Sequence, residues 1–126
     1  MTQIAALAFT VISGLLAIFQ LALILGAPLG RFAWGGQNDV LPPRLRRGSI
    51  IAIILYVAFS VIVLTKSAVI TVPVLQPVVG LLAWMLVVYL VIGVVMNLLS
   101  RSLPERLVMT PVAAVLVILG LLVAVG

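Results

Sequence analysis

The sequence contains no cysteine and no histidine. That removes disulfides, thiolate nucleophiles, an imidazole base and the usual ligands of zinc, haem and iron–sulfur clusters, so no cofactor is expected. Acids are scarce as well: Asp39 and Glu105 are the only two in 126 residues. Charged residues of both signs make up 7% of the chain, against about 25% in a soluble domain. There is not enough charge to cover a globule in water. Hydrophobic residues fill the space instead, at 66% of the chain with a mean hydropathy of +1.51. Such a chain belongs in lipid. Its net charge of +5 comes from seven basic residues that stand at the ends of apolar runs. Contact with anionic headgroups accounts for that placement, and no nucleic-acid partner is expected.

Four apolar runs emerge, over residues 4–25, 49–68, 78–99 and 103–125. Each is about 20 residues long, enough to cross a hydrocarbon core about 30 Å thick at 1.5 Å per residue. Backbone groups in lipid must pair within their own segment, and the runs are continuous rather than alternating, which predicts helices and not a barrel. The expected fold is therefore an all-α membrane protein, a single domain of four transmembrane helices in an up-down bundle. A cleaved leader is not expected, because the first run lacks a basic flank and exceeds the roughly 7–15 residues of a signal core.

Charge placement predicts orientation. The first and third loops, residues 26–48 and 100–102 with their flanks, carry Arg31, Arg44, Arg46, Arg47, Arg101 and Arg106, whereas the opposite side carries Lys66 alone. Positive residues favour the cytoplasmic side of short loops. The expectation is a multi-pass protein of the bacterial cytoplasmic (inner) membrane with both termini outside.

Two prolines shape the last run. Ser102 followed by Glu105 has the form of a capping box with Pro104 in the first turn, so the helix is expected to begin there and to kink where Pro111 removes an N–H. In the first loop, Gly35-Gly36 predicts a sharp turn and Leu41-Pro42-Pro43 a stiff extended entry to the second helix. Gly120 and Ala124 have the four-residue spacing of small residues that lets helices approach closely.

Ionisable residues deep in lipid would be functional candidates by default, and every charged residue here can reach an interface. The deepest polar side chains are Gln20, Ser60, Tyr56 and Tyr89; Gln20 is expected to make an interhelical hydrogen bond, or else to line a polar cavity. Polar residues gather on the inner side. Asn97, Ser100, Arg101, Glu105 and Arg106 stand where the third helix turns into the fourth, and Arg31, Trp34, Gln37, Asn38 and Asp39 occupy the first loop. Together they form a candidate ligand-binding patch for an anionic headgroup or small ligand, with Arg31 or Arg106 as donors and Asn97 orienting it. Asp39 and Glu105 are the only carboxyls, and could act as an acid/base pair if both faced one pocket; because Glu105 already has a capping role, catalysis is not expected.

The segments GAPLGRFAWGGQ, LPPRLRRGS and NLLSRSLPERLVMTP resemble an uncharacterised family of small bacterial four-helix integral membrane proteins. The resemblance covers about a third of the residues. It implies the fold and the bacterial membrane location and no activity. Small multidrug-resistance transporters differ in carrying a glutamate within the first helix. Small fluoride channels differ in their weak charge bias and in a pore motif missing here. The expected role is non-enzymatic binding of a lipid headgroup or partner subunit through the cytoplasmic hairpins; the alternative is a small oligomeric transporter or channel. Expected partners are membrane lipids, with a protein partner or a homo-oligomer in reserve.

Overall fold

The computed structural model describes residues 1–126 and contains four long helices and no strand. Helix α1 spans Thr2–Ile24, α2 Pro43–Lys66, α3 Val79–Leu98 and α4 Thr110–Val125. A π-helical turn, Glu105–Met109, leads into α4, and the two together give an apolar span of 21 residues. All four spans are long and apolar enough to cross a membrane. The all-α four-helix architecture expected from composition is the one observed.

The helices form a ring in chain order. Helix α1 packs closely on α2, α3 on α4, and α1 on α4, whereas α2 and α3 make little contact. Phe9, Phe59, Leu86 and Leu116 fill the centre. Gly120 lies at the crossing of three helices: a Cβ built there would stand 3.3 Å from Leu86 Cδ2 and 3.7 Å from Phe9. The small-residue spacing of Gly120 and Ala124 thus serves packing within the chain, where both are buried. Outward faces carry Ile18, Ile54, Ile92 and Ile118, all exposed. An apolar exterior of this extent is what a bilayer solvates.

Both termini lie at one end of the bundle. Lys66 Nζ donates to the main-chain oxygen of Gly126 at 2.7 Å, and a Cβ at Gly126 would meet the Thr2 side chain. The arginine-bearing loops occupy the other end.

The helix ends explain where the boundaries depart from the sequence reading. Helix α1 stops at a Schellman turn: Gly26 adopts φ +94° and donates to Leu23 O, while Ala27 N–H donates to Ala22 O. Gly26 therefore ends the helix. Helix α2 ends in the same way, except that Ala68 takes the left-handed position at φ +64°. Its start differs more. The first loop was expected to run to residue 48, but α2 begins at Pro43, so Arg44, Arg46 and Arg47 lie within its first turns. Pro42 is extended and caps the helix, and Pro43 takes a first-turn place where a missing N–H costs nothing. In the last span, Pro111 cannot serve the Leu107 carbonyl, and the backbone widens into the π-helical turn immediately upstream.

Candidate functional site

The first loop folds back over its end of the bundle, held by contacts that only its particular residues allow. Gly30 N–H donates to Asp39 O at 2.8 Å, and a Cβ at Gly30 would stand 1.7 Å from the Asn38 carbonyl oxygen. Leu41 is buried beside Leu23 and Ala33 in a small separate core. Arg46 Nε donates to Leu41 O at 2.8 Å, tying the loop's end to α2. Two 3₁₀ turns, Gly30–Phe32 and Trp34–Gly36, carry the chain across the bundle. Trp34, Gly35 and Gly36 all have positive φ, at 52°, 78° and 71°. Such a conformation suits glycine and strains tryptophan. Two contacts hold Trp34 there: its Nε1 donates to Ser49 Oγ at 3.3 Å, and its ring occupies the space over Gly48, where a Cβ would come within 2.7 Å.

Glu105 joins this loop to the turn between α3 and α4. Its Oε2 accepts from the Gly35 N–H at 3.0 Å and from Ser100 Oγ at 3.0 Å, and the residue is buried. Ser100 Oγ in turn accepts the Ser102 N–H at 3.1 Å. Ser102 Oγ donates to the Arg31 carbonyl and packs against Gly36, where no Cβ would fit. The capping box is therefore half formed. Glu105 N–H makes a long 3.5 Å contact with Ser102 Oγ, but the Glu105 side chain does not return to Ser102. Tertiary partners have captured it.

Beneath the loop lies a cavity of about 210 Å³ among all four helices. Its inner walls are Leu16, Phe59, Leu90 and Leu116, and its polar lining is Gln20, Tyr56, Tyr89, Asn97 and Glu105. Gln20 is 8% exposed; its side-chain amide lies within hydrogen-bonding reach of the Tyr56 hydroxyl on α2, and its Oε1 is buried and accepts no hydrogen bond. An unsatisfied carbonyl of this kind costs about 1–3 kcal/mol. Both side-chain hydrogen bonds to Glu105 fall on Oε2, which leaves Oε1 without a protein partner. Tyr89 packs edge-on to Phe59, with ring centroids 5.3 Å apart and planes at 62°. Helices α2 and α3 pack little against each other, and Tyr89 of α3, in the cavity lining, is exposed.

The expected patch divides in two. Trp34, Asn97 and Glu105 come together around the cavity. Arg31, Gln37, Asp39, Arg101 and Arg106 are exposed on the outer surface of the loops, Asn38 is half-buried beneath Gly30, and none of them lines the cavity. The arrangement of Arg31 or Arg106 as anion donors with Asn97 orienting the ligand is thus not assembled. Asp39 and Glu105 share no pocket. Gln20 lines the cavity and also lies within hydrogen-bonding reach of Tyr56 on α2, so both of its expected roles, interhelical partner and cavity lining, meet at this position. Tyr56 and Tyr89 stood out only as deep polar groups, and nothing in their spacing predicted that they would line one cavity from the neighbouring helices α2 and α3. Phe19 and Phe32, also in the lining, carried no signal beyond being aromatic.

No protein-family model, curated protein or solved structure matches the chain. Fold and site together define its class: an all-α, four-helix membrane protein with a largely apolar cavity that holds a few polar side chains at one end of the bundle, capped by its first loop.

Proposed function

We propose that the protein is a non-enzymatic binding protein of the bacterial cytoplasmic membrane, and that an amphipathic, lipid-like molecule lodges its polar end in the capped cavity. In this reading the arginine-bearing loops face the cytoplasm and the termini face outward, as the positive-inside rule requires. The observation that carries it is Gln20. A buried amide oxygen that accepts no hydrogen bond is costly within a membrane-spanning helix, and it borders a cavity large enough for a small polar group. The loose packing between α2 and α3 supplies a route from the lipid, so an acyl or alkyl tail remains in the bilayer while the head enters. The exposed arginines serve a separate role, holding anionic headgroups at the surface.

The transporter reading draws on a different feature. The cavity is closed toward the termini by Phe9, Phe59, Leu86 and Leu116, as one state of an alternating carrier would be. Native mass spectrometry of protein purified in a mild nonionic detergent separates the two. A bound amphiphile at one per chain, lost in Gln20→Leu, supports the binding protein. No bound mass, together with solute flux in reconstituted liposomes, supports the transporter.

A further inference from the structure

We infer that the polar end bound in the cavity is an organic cation, an ammonium group carried on an apolar body. The inference rests on the reading of the cavity as a binding site and adds the chemical class of its ligand. Three observations converge on it.

The first is aromatic content. The chain has four Phe, two Trp and two Tyr. All but Phe9 and Trp84 line this one cavity: Phe19, Phe32, Trp34, Tyr56, Phe59 and Tyr89. An interfacial belt would spread such rings around the outside of the bundle. Here they surround a space, and aromatic faces present negative charge to a cation. Phe32 already does so on another side, where the Arg31 guanidinium carbon stands 5.1 Å from its ring centroid.

The second is charge. Of seven basic residues, six lie at this end of the molecule, yet none lines the cavity; its only charged-type side chain is Glu105. An anionic head would meet an acid and no cation. An ammonium head would meet the Glu105 oxygen that carries no protein hydrogen bond.

The third is the unpartnered Gln20 Oε1, an acceptor in a residue more than nine-tenths buried. It requires a donor or a positive charge from whatever enters. Acceptors and aromatic rings thus line the cavity together, a combination that favours an ammonium group over a phosphate or carboxylate.

The test compares benzyltrimethylammonium with its carbon isostere neopentylbenzene, which has the same shape and no charge. Equilibrium binding of each is measured on the full chain in maltoside micelles, with ligand-free micelles as the blank. Wild-type protein is expected to hold the cation at least tenfold more tightly than the isostere. Glu105→Gln is expected to lose at least tenfold of the cation affinity and little of the isostere's. Should Glu105→Gln fail to fold, Tyr56→Leu and Trp34→Leu read the same preference, each reducing it severalfold. Equal binding of both compounds by wild-type protein overturns the cation inference and leaves the amphiphile-binding cavity standing. Binding of neither overturns both.

Discussion

Glu105 and Gly35 stand 70 residues apart in the chain and are joined by a 3.0 Å hydrogen bond from the Gly35 N–H to Glu105 Oε2. This one contact ties the loop after α1 to the turn before α4. It also explains why one of only two acids in the chain is buried. The loop's backbone donor has no sheet or helix to satisfy it, and the carboxyl group supplies the acceptor. The cavity beneath is bounded by the same side chain, so the loop's anchor is also part of the cavity's polar lining.

Removing that anchor should free the loop. Glu105→Ala leaves the Gly35 N–H and the Ser100 hydroxyl without their acceptor, at a cost of about 1–3 kcal/mol for each buried group. Hydrogen exchange of peptides covering residues 30–36 is expected to accelerate sharply, with the centres of the four helices unchanged. Unaltered exchange over this segment would show that Glu105 does not hold it.

Glycines should fall into two groups. At Gly36 the backbone has φ +71°, and a Cβ would stand 2.3 Å from Ser102 Cβ. Gly36→Ala therefore combines left-handed strain of about 1–2 kcal/mol with a collision between loops. Gly14 lies within α1 with no atom within 4 Å of a built Cβ. Gly14→Ala should stabilise by about 0.5–1 kcal/mol through helix propensity. Thermal unfolding in detergent is expected to move in opposite directions for the two variants.

Gln20 should show stability and binding in conflict. Gln20→Leu removes an unsatisfied buried carbonyl, so the thermal midpoint is expected to rise, by the equivalent of about 1 kcal/mol. The copurified amphiphile should be lost in the same variant. A lower midpoint with ligand retained would mean that Gln20 is a structural residue and not a binding one.

Orientation is open to direct labelling, because the chain has no cysteine of its own. Single cysteines at Asn38 and Ser102 are expected to resist a membrane-impermeant thiol reagent on intact cells. One at Val74, 80% exposed in the loop between α2 and α3, is expected to react. The reverse pattern would invert the proposed topology.

Much of the fold was legible in composition and run length, because lipid leaves a continuous apolar segment no choice but a helix. The start of α2 was not. Pro42-Pro43 reads as loop, yet an extended Pro42 followed by Pro43 in the first turn is also a helix beginning, and the sequence carries both meanings. The capping-box pattern at Ser102 and Glu105 located the helix start but not the fate of the glutamate, which depended on where Gly35 came to rest. Trp34, Asn97 and Glu105 were recognisable as polar or interfacial residues. Their separation from the arginines was hidden, since every one of them sits at the same end of the bundle and only the packing of helices decides which side chains turn inward.

The cavity's character is tested most directly by charge-selective modification of Ala113→Cys, a position in its lining. A small cationic methanethiosulfonate reagent and an anionic one of similar size are compared there and at the exposed reference Gln37→Cys. Relative to the reference, the cationic reagent is expected to be favoured at least tenfold at position 113 and to be slowed by added benzyltrimethylammonium. Equal ratios at the two positions, or no reaction at 113 with either reagent, would contradict it.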